Sequence, residues 1–337
     1  MWLTENILDY GSVAVVGLAK NVGKTVTLNH ILRELHDKGK IGVTSIGIDG
    51  ESRDAVTGTR KPEIRLYDNM LFATSEVHYR SRRLQSEILD VGEKRSVMGR
   101  LVTARVKAEG KVMLSGPSDT VSLRRLIDDM HRLGADTVIA DGALSRLSPA
   151  SPAITDALVL ATGAALAPDI NAIVRKTAAV CRLIEIPVWE NEHAGSLLDL
   201  EQGIWNIDDE TGCLFDSGLK SSLELAKLKE DLVKPGCSLY VAGMLNDRFL
   251  RSLNERNQRE EKVTVICRDF TKIFVDPAVL RSFISNGGEI RVLKRPELIG
   301  ITINPWSPQG YVVDGEKLKE KLQEKLKEIP VANLMNP

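Results

Sequence analysis

The chain has no Cys-x-x-Cys pair, no surplus of one charge, no low-complexity tract, no internal repeat and no long apolar run. Each absence removes a class of function. Cys181, Cys213, Cys237 and Cys267 stand far apart, which argues against a zinc knuckle and against a dithiol redox motif and leaves four reduced thiols. Lysine and arginine total 45 against 46 for aspartate and glutamate, a net charge of -1, so nothing favours nucleic acid or an anionic membrane surface as a partner. Met1 to Tyr10 carries acids where a signal peptide needs an unbroken apolar core, and no later segment is apolar over the length a bilayer requires. A soluble, cytoplasmic protein is expected. With 337 residues, 43% of them hydrophobic, the chain can bury a large core, and two domains are expected.

What is present is most telling near the start. Ser12 to Val16 is an apolar strand run, and it leads through Gly17-Leu18-Ala19-Lys20-Asn21-Val22 into Gly23-Lys24-Thr25. A phosphate-binding loop needs that order: a strand to fix the loop, a glycine so that backbone N–H groups can approach an anion, a lysine for the outer phosphates and a hydroxyl for magnesium. Leu28, Ile31, Leu32 and Leu35 follow at helical spacing, which aims a helix N-terminus at the phosphates. Five residues separate Gly17 from Gly23 where the standard motif has four, so the loop is slightly atypical. The cradle is assigned to Gly17, Asn21, Val22, Gly23, Lys24, Thr25 and Val26, with ATP as the nucleotide. ATP is preferred over GTP because no Asn-Lys-x-Asp guanine-reading sequence occurs.

Two acids are candidates for the metal and the chemistry. Thr137 to Gly142 is an apolar strand ending in Asp141, the natural partner of Thr25 for Mg2+, and Gly142 can offer its N–H to the terminal phosphate. Asp49 lies in the turn Gly47 to Glu51, after the strand Ile41 to Ile46, where a metal ligand or switch can sit. Lys24, Asp49 and Asp141 are therefore the catalytic candidates, and Thr25, Asp49 and Asp141 the metal ligands. Arg146 could approach the phosphates. Asn246, just past the strand Leu239 to Ala242, could read a base edge, with helix capping by Asp247 as the plain alternative for that turn. Asn304 to Tyr311 is a Pro-braced loop carrying Trp306, suited to a ligand or a partner.

Strands alternate with helices along the chain, giving an α/β fold with a mostly parallel sheet, inserted hairpins and a C-terminal α/β part. Helices are expected at Ser118 or Asp119 to Leu133, Ile170 to Ile184, Pro277 to Ser285 and Glu316 to Glu328. Hairpins are expected around Asp68-Asn69, around Glu109-Gly110 and around Asp208 to Gly212, and Ser75 to Gly99 is read as a helix with a basic face. Lys234-Pro235-Gly236 marks the boundary between 1–235 and 236–337.

Two resemblances follow. In Gly17, Val22, Gly23, Lys24, Thr25 and Val26 the loop resembles that of dethiobiotin synthetase and the cobyrinic-acid amide synthetases, within the signal-recognition-type and MinD-type NTPases. That class implies a mostly parallel sheet, frequent homodimers and a Mg-nucleotide held by the loop lysine and threonine. Its ligases carry an acid inside the loop, where this chain has Leu18, Ala19, Lys20 and Asn21, and Lys20 precedes Lys24 by four positions where the MinD-type signature lysine precedes by five. Over a longer span, from Gly17 to Asn29, Thr44 to Glu51, Asp141 to Arg146, Ala161 to Ala164, and Ile301 to Tyr311, the chain resembles the smaller subunit of the lysine 5,6-aminomutase reactivases. That resemblance implies a slow ATPase acting as a chaperone in lysine degradation, with a MutS-like ATPase subunit and a cobalamin-dependent aminomutase as partners. A small-molecule ligase or kinase, and a nucleotide-binding scaffold without turnover, are the alternatives.

Overall fold

The computed structural model describes residues 2–46, 63–117, 119–143, 151, 154–224, 232–233, 236–257 and 262–334. In chain order it begins with α1 (Trp2–Glu5), β1 (Ser12–Gly17), α2 (Lys24–Leu35), β2 (Ile41–Ser45), β3 (Ile64–Leu66), β4 (Leu71–Ser75), α3 (Glu76–Arg80), β5 (Arg83–Ser96) and β6 (Gly99–Val112). There follow α4 (Thr120–Arg132), β7 (Thr137–Ala143), β8 (Ala157–Gly163) and α5 (Ile170–Ile184). The middle of the chain holds α6 (Ala194–Leu198), β9 (Ile204–Asp208), β10 (Leu214–Asp216), β11 (Cys237–Val241), β12 (Leu245–Asn246), α7 (Asp247–Asn257), β13 (Thr264–Cys267), β14 (Ile273–Phe274), α8 (Pro277–Ser285) and β15 (Glu289–Val292). It closes with β16 (Glu297–Asn304), α9 (Gly315–Leu326) and β17 (Val331–Asn333).

The architecture is α/β with a mostly parallel main sheet. The chain divides into a unit of Met1–Ala178 with Pro296–Pro337 and a second unit of Ala179–Arg295. This differs from a cut at Lys234-Pro235-Gly236, and the reason is strand pairing: β16 returns to lie parallel to β8, with Ile301 opposite Leu160 and Asn304 opposite Gly163. The final strands thus join the first sheet, and the intervening residues form an insertion.

In the first unit the described strands run β17-β16-β8-β1-β7-β2-β4-β6-β3, with β5 on the outer side of β6. From β17 to β4 every pair is parallel, and β3, β4 and β5 all run antiparallel to β6. Helices cover both faces, as a parallel sheet requires. On one face α2 buries Leu28, Ile31, Leu32 and Leu35 against Val13, Val15, Ile41 and Val43. On the other, α4 buries Leu123, Leu126, Ile127 and Met130 against Val138, Ile46 and Leu71. Each such side chain contributes about 1.5–3 kcal/mol when fully buried. Two alternating strand faces and two 3.6-period stripes are enough to specify the three layers.

Three expectations fail around β6. The segment Ser75 to Gly99 is a short helix, α3, followed by the 14-residue strand β5. Arg83, Lys94 and Arg95 sit on this edge strand, where Leu84 and Ser86 are half-buried between exposed neighbours, a period of two that a helix reading misses. Glu109-Gly110 makes no turn, since β6 runs through it; a Cβ on Gly110 would come within 2.0 Å of the Arg83 carbonyl oxygen, so the glycine admits the backbone of β5. Asp68-Asn69 joins β3 to β4 without pairing them, and both segments pair instead with β6. The hairpin at Asp208 to Gly212 forms as expected between β9 and β10.

In the second unit the described sheet runs β10-β9-β11-β13-β15, antiparallel through β9 and parallel from β11 onward. Leu239, Val241, Val265 and Val292 on one face pack with Phe249, Leu250, Leu253 and Phe283 from α7 and α8. Burial pushes the Cys181 thiol up to about 12 and raises that of Cys267 as well, whereas Cys213 is exposed. Maleimide at neutral pH should therefore label Cys213 quickly and leave Cys181 and Cys267 unreacted until denaturant is added, as counted by intact-mass spectrometry. The same shift carries a sign. The unfolded Cys181 thiol ionises near 9.0 while the folded one stays protonated to about 12, so stability is lost as pH rises through that window. Among the described residues no helix is long and apolar enough to cross a membrane.

Candidate functional site

The site is built on the C-terminal ends of β1, β7, β8 and β16, which are adjacent in the sheet. In an open parallel sheet these ends face the crevice where ligands bind. β1 pairs with β7 on one side, placing Val15 opposite Asp141 and Val16 opposite Gly142, and with β8 on the other, placing Gly17 opposite Ala161. The strand therefore ends between an acid and a second strand, and the loop from Gly17 to Lys24 begins there.

Loop geometry follows from two left-handed residues. Asn21 has φ 63° and Gly23 has φ 92°, and an asparagine and a glycine are the types that adopt this region most readily. A Cβ on Gly17 would lie 2.9 Å from Val22 Cγ2, so a side chain there would collide with the loop's own return. Val22 is buried and pins the loop, while Asn21 and Val26 are exposed and Thr25 is half-buried in the first turn of α2. The N-terminus of α2 has Gly23 before it and no side chain capping it. By contrast α3, α4, α8 and α9 are capped by Ser75, Asp119, Asp276 and Asp314. Among the described residues no side chain caps the first N–H groups of α2, the condition under which a helix end takes an anion.

The charged centre is the pair Lys24 and Asp141. Lys24 Nζ lies 2.6 Å from Asp141 Oδ1, with the two side chains 24% and 17% exposed. At that distance the lysine ammonium is a charge-assisted partner of a carboxylate oxygen that is itself buried. A carboxylate oxygen shielded from water with a lysine as its neighbour is an acceptor that a cation could fill. The backbone of Asp141 is fixed by Ile46 N and Ser45 Oγ, which donate to its carbonyl at 3.0 and 3.2 Å. Gly142 is buried within β7. The segment after β6 is pressed onto the same tip: a Cβ on Gly116 would sit 1.7 Å from the Ser45 carbonyl oxygen.

The tip of β16 braces the loop from the other side. Asn304 Nδ2 donates to the Asn21 carbonyl at 3.0 Å, and its Oδ1 accepts from Trp306 N at 3.0 Å. Thr27 and Thr302 share a hydroxyl hydrogen bond of 2.7 Å, and Thr27 Oγ1 also donates to the Gly23 carbonyl at 3.2 Å. Leu18 N donates to the Ala161 carbonyl at 2.9 Å, and Tyr311 Oη to the Ala164 carbonyl at 2.7 Å. Sequence reasoning singled out the loop Asn304 to Tyr311 but gave Asn304, Thr302 and Thr27 no part in the site. The signal was a polar residue at the end of an apolar strand, the same signal that drew attention to Asp141.

The structure thus brings Gly17, Asn21, Val22, Gly23, Lys24, Thr25, Asp141 and Gly142 to one edge of the sheet, at the C-terminal ends of β1 and β7. Asp49 and Arg146 lie outside the described residues. Asn246 belongs to the second unit, where its side chain serves local structure. Its Oδ1 accepts from Phe249 N at 3.0 Å and its Nδ2 donates to Ser222 Oγ at 2.8 Å, so it, and not Asp247, caps α7. Asp247 Oδ1 instead accepts from Asp276 N at 2.7 Å. Comparison of the chain with protein-family models, with curated proteins and with solved structures found no match.

Proposed function

We propose that the chain is a phosphate-loop NTPase that binds Mg-ATP at the crevice formed by Gly17 to Thr25 and Asp141. The observation that carries the reading is Lys24 paired with Asp141 at the start of α2, a helix end that no side chain caps among the described residues. Free N–H groups with a lysine attract the phosphates, and the dipole of α2 adds to that attraction. Thr25 and Asp141 are the residues that would hold magnesium, which when bound supplies positive charge to the phosphate oxygens. With nucleotide bound, Lys24 would exchange its carboxylate neighbour for a phosphate, leaving Asp141 as a residue that would hold the cation. The brace from Asn304 and Thr302 keeps the loop in its binding shape before the ligand arrives.

Chemistry around the loop is sparse. Hydrolysis needs a group that orients water and one that offsets charge on the terminal phosphate. Among the described residues only Asp141 and Lys24 stand at the crevice for these tasks, so the isolated chain is a slow ATPase. The resemblance over Gly17 to Asn29, Asp141 to Arg146 and Ile301 to Tyr311 supports a role as the ATPase subunit of a reactivating factor for a cobalamin-dependent lysine 5,6-aminomutase, working with a MutS-like subunit. The ligase alternative loses weight because the loop lacks the acid that such ligases place there.

The test is hydrolysis with and without partners. Adding the MutS-like subunit or the inactivated mutase should raise the rate at least ten-fold, about 1.4 kcal/mol of barrier. Asp141→Asn should abolish that stimulation yet keep most of the calorimetric affinity, since the loop's N–H groups and Lys24 remain. Mutase recovery that is the same with ATP, with a non-hydrolysable analogue and with the mutant would end the reactivase reading and favour the ligase.

A further inference from the structure

The tip of β16 carries more than a brace, and the next step rests on the nucleotide reading above. We propose that Asn304 is a positioning residue that senses the shape of the loop 17–24 and passes it to the segment 305–313, where Trp306 displays it. Asn304 is 7% exposed, and both ends of its side-chain amide are engaged: Nδ2 to the Asn21 carbonyl, Oδ1 to Trp306 N, each at 3.0 Å. The amide is a rigid plane. A displacement of the Asn21 carbonyl therefore rotates Oδ1 against Trp306 N unless one of the two bonds breaks.

Other routes of relief are closed. A Cβ on Gly163 would lie 2.0 Å from the Asn304 carbonyl oxygen, so the two backbones already touch and Asn304 cannot retreat toward β8. Thr302, two residues back on the same strand, is tied to Thr27 of α2 at 2.7 Å. Beyond Asn304 the segment is closed on itself: Trp306 bridges Val312, Ser307 N donates to the Tyr311 carbonyl at 3.0 Å, and Tyr311 Oη holds Ala164. It moves as one piece, with Trp306 58% exposed on it. The input is equally local. Asn21 is left-handed at φ 63° one peptide before Val22 and Gly23, and anion capture by the loop's N–H groups reorients those same peptides. A half-exposed indole reports such a change through its emission.

Intrinsic fluorescence of the full chain, titrated with Mg-ATP beside calorimetry, tests this. Emission should change in step with binding, and Trp306→Phe should bind normally but lose the change. Asn304→Asp keeps an acceptor for Trp306 N while it cannot donate to Asn21, and Asn304→Ala removes both bonds. Each should bind Mg-ATP roughly ten-fold more weakly and stay silent at saturation. Binding by the wild type without a Trp306 signal would overturn the relay and leave the nucleotide site standing. No binding at all would overturn the nucleotide reading and the relay together. A full signal from both Asn304 variants at saturation would remove Asn304 from the relay. Should either variant fail to fold, the wild type compared with Trp306→Phe still decides.

Discussion

Lys24→Ala is expected to weaken Mg-ATP binding by a factor of roughly 30–150, or about 2–3 kcal/mol, because a charge-assisted contact to phosphate is lost while the rest of the loop stays. Its cost to the unliganded fold should be far smaller. Asp141 loses its counter-charge, but removing the lysine side chain opens Oδ1 to the water that already reaches the rest of this partly exposed carboxylate. A stability loss of no more than about 1 kcal/mol follows, and Asp141→Asn in the same chain should recover most of it by removing the stranded charge. Calorimetric titration together with thermal melts separates the two effects. Equal affinities for mutant and wild type would refute the phosphate-loop assignment.

The second large effect is structural. Gly163→Ala places a Cβ within 2.0 Å of the Asn304 carbonyl oxygen and within 2.9 Å of its nitrogen. The obstruction is backbone at the C-terminal end of a parallel pair, which no rotamer can relieve. β8 and β16 must separate locally, and a loss of about 3 kcal/mol is expected, with the melting temperature falling by roughly 6–12 °C. Nucleotide affinity should fall with it, since the strand displaced is the one that holds Asn21 and Thr27. Gly195→Ala is the control: nothing lies within 4 Å of the added Cβ and the site is helical, so it should be neutral or slightly stabilising. A Gly163→Ala protein that melts like the wild type would show that β8 and β16 are not packed as described.

Much of this fold was legible from local pattern. The helix stripe of Leu28, Ile31, Leu32 and Leu35, the strand ending in Asp141 and the helix Ile170–Ile184 capped by Asp169 all formed where periodicity and capping put them. What escaped depends on residues distant in sequence. Strand β5 reads as a polar helix until β6 lies beside it, because an edge strand buries too little to leave a strong apolar alternation. Gly110 looks like a turn for the same reason: its role is to admit Arg83, and no property of its neighbours encodes that. The insertion of the second unit was hidden because β16 pairs with β8 across more than a hundred intervening residues, and no local pattern in either strand names its partner. In the site, the loop and Asp141 were readable as motif chemistry, whereas Asn304 and Thr302 act on the loop across 283 and 275 positions.

That separation has a temporal meaning on the ribosome. Asn21 leaves the tunnel early, but the asparagine that holds its carbonyl is translated 283 residues later. At roughly 5–20 residues per second the interval is on the order of 15–60 s. Over its second half, once β8 has been made, the nascent sheet can close β1, β7 and β8 while the free side of β8 stays open, an unpaired row of N–H and C=O groups of the kind that recruits other chains. The proposed nucleotide site is unfinished over the same period. On the proposed reading, ligand competence would arrive with β16, at the moment the vulnerable edge is covered, and holding ATP would mark a chain that has been made past its insertion and has closed correctly.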